Sequence, residues 1–159
     1  MNLSTPNNYY NLLIKHILGG NAFIKIEEIL GKIEYHHVGI TLDGLPYSFW
    51  QIFEHMRIAQ QDILEFSEGP DYKVLKWPED YWPENSSPRS PEEWNNTKEM
   101  FFKDRVRFND IIEKNSDNLL IPFSHGDGQN LFREALLIIE HNAYHTGQLM
   151  ILSRLLGVS

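Results

Sequence analysis

The chain contains no cysteine. Disulfides, thiolate metal sites and a cysteine nucleophile are therefore excluded, and any bound metal must use His, Asp or Glu. Any thiol chemistry must take its sulfur from a second molecule. Positive charge is scarce as well: 14 Lys and Arg stand against 22 Asp and Glu, a formal net charge of −8. Such a field repels phosphate backbones, and no basic run or basic-aromatic stripe offsets it, so nucleic acid is not an expected partner. Long apolar runs are missing; none approaches the roughly 20 residues that span a bilayer, so no membrane partner is expected either. Met1 to Pro6 show no basic flank followed by an apolar core, so no leader is expected and the cytoplasm is the expected compartment. Repeats and low-complexity segments are absent.

What is present is the composition of a globular protein. Hydrophobic residues make up 42% and charged residues 23% of 159 positions, enough for one domain, 1–159, with a core that needs no covalent staples. Four helical stretches stand out. The first begins near Asn8 and places Tyr9, Leu12, Leu13 and Ile17 at helical spacing. Gly19-Gly20 interrupts it, either ending or bending the helix, before a second apolar pattern of Phe23, Ile26, Ile29, Leu30 and Ile33. The second helix starts at Ser48, which has capping-box spacing to Gln51, and stops at Gly69-Pro70. The third opens at Ser90-Pro91-Glu92-Glu93, a cap followed by Pro at the first helical position. The fourth runs from about Asn130 to Leu156, with Gly157 placed to terminate it.

Between the second and third helices, Asp71 to Ser90 break the pattern. Pro78, Pro83 and Pro88 forbid regular helix there, yet Tyr72, Trp77, Tyr81 and Trp82 are too apolar to be left in water. The expected structure is a long ordered loop, rich in aromatics and Pro, wrapped over the helices either to cover the core or to wall a pocket. Four amphipathic helices without a strand pattern predict an all-α four-helix bundle, an architecture that places metal and cofactor sites between facing helices.

The histidines give that expectation chemical content. His141 and His145 are four residues apart and project from one helix face, so both can reach one divalent ion. Seven histidines in 159 residues give roughly 0.3 such pairs by chance, so spacing alone decides little. The face decides more: Ile138, His141, His145, Gln148 and Leu152 share one side, and adjacent buried imidazoles need partners. A shared metal supplies them; two hydrogen-bonded structural histidines are the alternative. The zinc-protease pattern fails, because Asn142 occupies the position of its catalytic Glu. A third ligand should come from another helix, and His55, in line with Ile52 and Ala59, is the candidate, against a simple packing role. His16, His36 and His37 are expected to face solvent. His125 and Asp127, in the loop before the fourth helix, are candidate pocket residues, and Asp62, seven residues beyond His55, is a candidate acceptor behind a ligand.

Two segments, Phe53-Glu54-His55-Met56-Arg57-Ile58-Ala59-Gln60 and Glu140-His141-Asn142-Ala143-Tyr144-His145-Thr146-Gly147-Gln148-Leu149, resemble the DinB-like family of metal-binding four-helix bundles. This superfamily also holds bacterial thiol-dependent transferases. Tyr81-Trp82-Pro83 and His125-Gly126-Asp127-Gly128-Gln129 resemble one branch of it. The resemblance spans nearly the whole chain. It implies an up-down-down-up bundle, a homodimer, and one divalent metal on His55, His141 and His145.

Three neutral His ligands leave a coordination position open, and all-nitrogen ligation suits zinc or nickel. Carboxylates or carbonyls are expected behind the ligands, on the other ring nitrogens. Protons should compete with the metal near pH 6.5, the range of an unperturbed imidazole. The resemblance implies a metal-dependent thiol S-transferase, with a low-molecular-weight thiol as co-substrate and a small electrophile as acceptor. Two alternatives remain open: a hydrolase using metal-activated water, and a stress-associated metal-binding protein without catalysis.

Overall fold

The structure, a computed structural model, describes residues 7–158; Met1 to Pro6, read above for a leader, lie outside the described residues. All regular structure among the described residues is helical: α1 (Asn7–Ile17), α2 (Ile26–Leu30), α3 (Tyr35–Val38), α4 (Phe49–Glu68), α5 (Pro91–Lys114) and α6 (Leu131–Leu155), with a 3-10 turn at Glu79–Tyr81. No helix among them is long and apolar enough to cross a membrane.

The three long helices begin where local chemistry says they should. At α4 the Ser48 hydroxyl accepts from the Gln51 amide while the Gln51 side chain accepts from the Ser48 amide, a complete capping box. At α5 the Ser90 side chain accepts from the Glu93 amide with Pro at the first turn. At α6 the Asn130 side chain accepts from the Arg133 amide. The far end of α6 closes on Gly157, at φ 78°, with Val158 N–H donating to the Ser153 carbonyl and Gly157 N–H to the Arg154 carbonyl. That paired arrangement is the Schellman termination.

The region before α4 differs from the continuous apolar pattern of the sequence. Gly19 and Gly20 both take positive φ, 72° and 77°, so α1 ends there rather than bending. The Phe23–Ile33 pattern becomes only the short α2 with an irregular continuation, followed by α3. Helices of about five residues do not persist alone; α2 exists because Ile26, Ile29 and Leu30 are buried against the other helices. Phe23 itself stays exposed.

α4 is the element on which the others are assembled. Its first half joins Phe49, Trp50, Phe53 and Met56 to Trp94 and Phe101 of α5, to Leu149 and Leu152 of α6 and to α2. Its second half joins Ile63 and Leu64 to Leu13 and Ile17 of α1, to Phe108 and Ile112, and to Leu131, Ala135 and Ile138. Side chains of this size that are removed from water contribute about 1.5–3 kcal/mol each. Between the two apolar clusters lies a polar layer. Gln60, only 1% exposed, donates to the Phe101 carbonyl at 2.7 Å and accepts from Asn142 at 3.1 Å. The histidines occupy the same level. Glu54 meets Thr97, and Glu68 meets Arg107, so α4 and α5 run in one direction. His55 meets His141 while Leu64 clusters with Ala135, so α6 runs against α4.

The segment 71–90 lies along the N-terminal half of α4 as a strap. The cap of α4 and two α4 positions donate to its carbonyls: Ser48 Oγ to Ser86, Gln51 Nε2 to Pro83 at 3.4 Å, and His55 Nδ1 to Tyr81 at 2.9 Å. Gly39 packs on Ser87 so closely that a Cβ there would lie 2.5 Å from the serine side chain. The expectation that the aromatics here are withdrawn from water holds in part: Trp82 is sheltered between Tyr47 and His55, whereas Trp77 is 66% exposed.

Candidate metal centre

His55 comes from the buried face of α4, and His141 and His145 from successive turns of α6. Their rings meet at centroid distances of 5.0, 4.9 and 4.5 Å, and one ligand atom from each lies within 4.8 Å of the others. The Nε2 atoms of His55 and His141 are 3.1 Å apart. Two ligands of a tetrahedral ion with bonds of about 2.0–2.1 Å stand about 3.3–3.4 Å from each other. That edge is thus already of ligand-shell length, and the 4.8 Å limit leaves any wider edge at most about 1.5 Å to close by ring rotation.

Hydrogen bonding determines which nitrogens face inward. The Tyr81 carbonyl can only accept, so the His55 proton must sit on Nδ1 and its Nε2 presents a lone pair. His145 donates through Nδ1 to Gln148 Oε1 at 2.6 Å, with the amide oriented by Gln148 Nε2 donating to the Tyr144 hydroxyl at 3.2 Å. Its Nε2 is therefore also a free lone pair. These are the expected partners behind metal ligands, one carbonyl and one side-chain amide, though neither is a carboxylate. A single N–H from His141 can satisfy one neighbouring lone pair but not both. A cation satisfies all three nitrogens, so the residues present fit a divalent metal.

The protonation states agree with that role. Burial pushes the His141 imidazole down to about 3, and the neighbouring His145 and His55 rings push the same way. Burial also lowers His55, against the opposing hydrogen bond to the Tyr81 carbonyl. It lowers His145, where the Gln148 hydrogen bond opposes it. All three are neutral at physiological pH, the form that ligates metal.

His55 is 3% and His145 5% exposed, while His141 is half-buried. The indole of Trp82 lies flat on the His55 imidazole at 3.9 Å, with an interplanar angle of 2°, and Tyr47 stacks on its other face. The exposed rings of Trp77 and Tyr144 flank the cluster, next to His55 and His145.

The other sequence candidates lie elsewhere. His125 donates through Nε2 to the Phe66 carbonyl, 2.9 Å away, in the last turn of α4. Eleven residues at about 1.5 Å each separate that turn from His55, about 16 Å. There His125 stacks on Phe123 and lines an open cavity of about 700 Å³ formed by the ends of α4, α5 and the loop into α6. Asp127 is exposed on the same loop. At Gly126 a Cβ would come within 2.6 Å of Gln129 Oε1, the end of a flexible side chain, and 3.3 Å of the Phe66 ring, so both would have to shift to admit one. Asp62 touches no ligand; it accepts from the Tyr81 hydroxyl at 2.7 Å. His16 and His36 are exposed as expected, but His37 is half-buried with its Nδ1 enclosed and unpartnered.

Trp82, Gln148 and the Tyr81 carbonyl are the site groups whose roles sequence reasoning did not assign. Gln148 shares the histidine face of α6, so its position was a signal; a backbone carbonyl in a loop leaves none. Compared with known proteins, the chain matches no family model, no curated protein and no solved structure.

Proposed function

We propose that the chain is a DinB-like four-helix bundle that holds one divalent metal, zinc or nickel, on His55, His141 and His145. The observation that carries this reading is the convergence of three neutral imidazoles whose outer nitrogens are engaged at His55 and His145. The helix directions support an up-down-down-up arrangement: α4 and α5 run together, α6 runs back, and α1 packs on α5 and α6.

The activity we propose for this centre is transfer of a low-molecular-weight thiol to a small electrophile. A divalent metal bound here would supply a Lewis-acidic position that lowers the pKa of a thiol. The chain's own part is to fix two ligand rings through Tyr81 and Gln148, to keep water from His55 with Trp82, and to leave approach on the half-buried His141 side. The second reading, metal binding without catalysis, draws on the same stack, since an indole lying flat on a ligand narrows access.

Elemental analysis of protein purified without an affinity tag tests the metal. One divalent ion per chain is expected, with loss in His55→Ala, His141→Ala and His145→Ala. Unchanged metal content in His55→Ala would remove the α4 ligand and with it the three-histidine site.

A further inference from the structure

Tyr81 is tied to α4 at two points. Its backbone carbonyl accepts from His55 Nδ1 at 2.9 Å, and its phenol donates to Asp62 Oδ2 at 2.7 Å. His55 and Asp62 are seven residues apart on one face of α4, about 10 Å along the axis. One residue of the strap therefore bridges two turns of the helix that carries a ligand. The fit is helped by the 3-10 turn that ends at Tyr81, in which Asp80 N–H donates to the Lys76 carbonyl at 2.9 Å and Lys76 N–H to Asp80 Oδ2 at 2.9 Å. Trp77 packs on the Tyr81 ring at 5.3 Å.

The bridge answers a specific problem. His55 keeps its inward lone pair only while an acceptor holds the proton on Nδ1. That acceptor is a main-chain oxygen in a loop, and its position is only as good as whatever pins residue 81. The half-buried carboxylate of Asp62 is such a pin, and its orientation is set by the helix that also carries His55. Helix and loop thus fix each other, and the ligand ring is held between them.

We propose that Asp62 is a positioning residue for the metal centre, acting through the Tyr81 phenol to seat the Tyr81 carbonyl on His55 Nδ1. This rests on the three-histidine reading for its consequence, though the bridge itself can be tested without metal. Tyr81→Phe removes the donor, and Asp62→Leu removes the acceptor while keeping a side chain branched at Cγ. Asp62→Asn keeps an acceptor oxygen and serves as the conservative rescue.

Two measurements on the full-length protein separate the possibilities. In metal-free protein, ¹⁵N-edited NMR of the His55 ring reports the Nδ1 proton. It should be observable and slowly exchanging in wild type and Asp62→Asn, and should broaden or exchange at least tenfold faster in Tyr81→Phe and Asp62→Leu. With cobalt as the probe metal, affinity should fall about tenfold in those two variants, the lower end of the range for groups behind metal ligands. The double variant should be no worse than either single one, because both remove one interaction. A cobalt affinity within twofold of wild type, or a His55 proton signal unchanged in Tyr81→Phe, overturns the proposal. If wild type binds no cobalt, the metal reading fails by itself, and the proton signal still decides whether Asp62 and Tyr81 position His55.

Discussion

Acid should destabilise the metal-free protein through its histidines, and the sign follows from the direction of the shifts. The folded state holds His141 near 3, against an ordinary value of 6.5. Between those values the unfolded chain binds a proton that the folded chain refuses, so stability is complete above about pH 6.5 and is lost as pH falls. For His141 the slope is at most about 1.4 kcal/mol per pH unit. From pH 7.5 to 5.0 it amounts to about 2 kcal/mol as an upper bound, and about 1 kcal/mol once the half-exposed ring is allowed its solvent screening. His55 and His145 are shifted in the same direction and add to the loss. Asp62 and Asp104 are raised by burial and act oppositely, but only nearer the carboxylate range.

The assay is urea unfolding of chelator-treated protein at pH 7.5 and 5.0, for wild type and His141→Gln. The variant should lose about 1 kcal/mol less than wild type over that interval. A wild-type-to-variant difference that stays the same at both pH values, within about 0.3 kcal/mol, would refute the reasoning. The same shifts move the proton competition expected from sequence to lower pH: metal affinity should stay nearly flat through pH 6.5 and weaken only towards the lowered imidazole range, because the ligands enter already neutral.

Cobalt-substituted protein titrated with a small thiol should develop a sulfur-to-cobalt charge-transfer band that saturates and is absent in His145→Ala; no band at millimolar thiol would remove the basis for S-transfer. Light scattering at micromolar concentration should give the mass of a homodimer, as expected from the abundant aromatics, 13% of the chain, and from exposed Leu136, Ile151 and Leu155 on α6; a monomer mass would defeat it. His125→Ala should lower unfolding free energy by about 1 kcal/mol by releasing the Phe66 carbonyl, with metal content unchanged; metal loss would place His125 in the centre after all.

Much of the helical framework was legible because its signals are local. Ser48, Ser90 and Gly157 act on neighbours a few residues away, and each does in the structure what its placement predicts; Asn130, read only as the approximate start of the fourth helix, proves to be its cap. The apolar pattern from Phe23 to Ile33 left the extent of helix open for the opposite reason. From Ile26 to Ile33 its periodicity reflects burial against the other helices, which a short helix followed by irregular chain satisfies as well as a long one, while Phe23 stays exposed. Periodicity reports which residues are covered, not how long the helix is.

The centre divides along the same line. His141 and His145 announce themselves because one helix places them one turn apart, and Gln148 stands one turn further on the same face, near enough to orient His145. His55 acquires meaning only from the fold, which brings it against His141 at 3.1 Å across 86 residues. The partner of His55 leaves no trace in residue identity, since any residue at position 81 would offer a carbonyl. What sequence could record is the need to hold that carbonyl still, and it is recorded in two residues that never touch a ligand: a tyrosine whose hydroxyl reaches back to α4, and Asp62, which receives it. Asp62 was legible as an acceptor by its spacing from His55, but the group it serves is the strap rather than the imidazole. The strap is therefore tied to the histidine cluster through residue 81, with Trp82 sheltered against His55 and Trp77 exposed beside it.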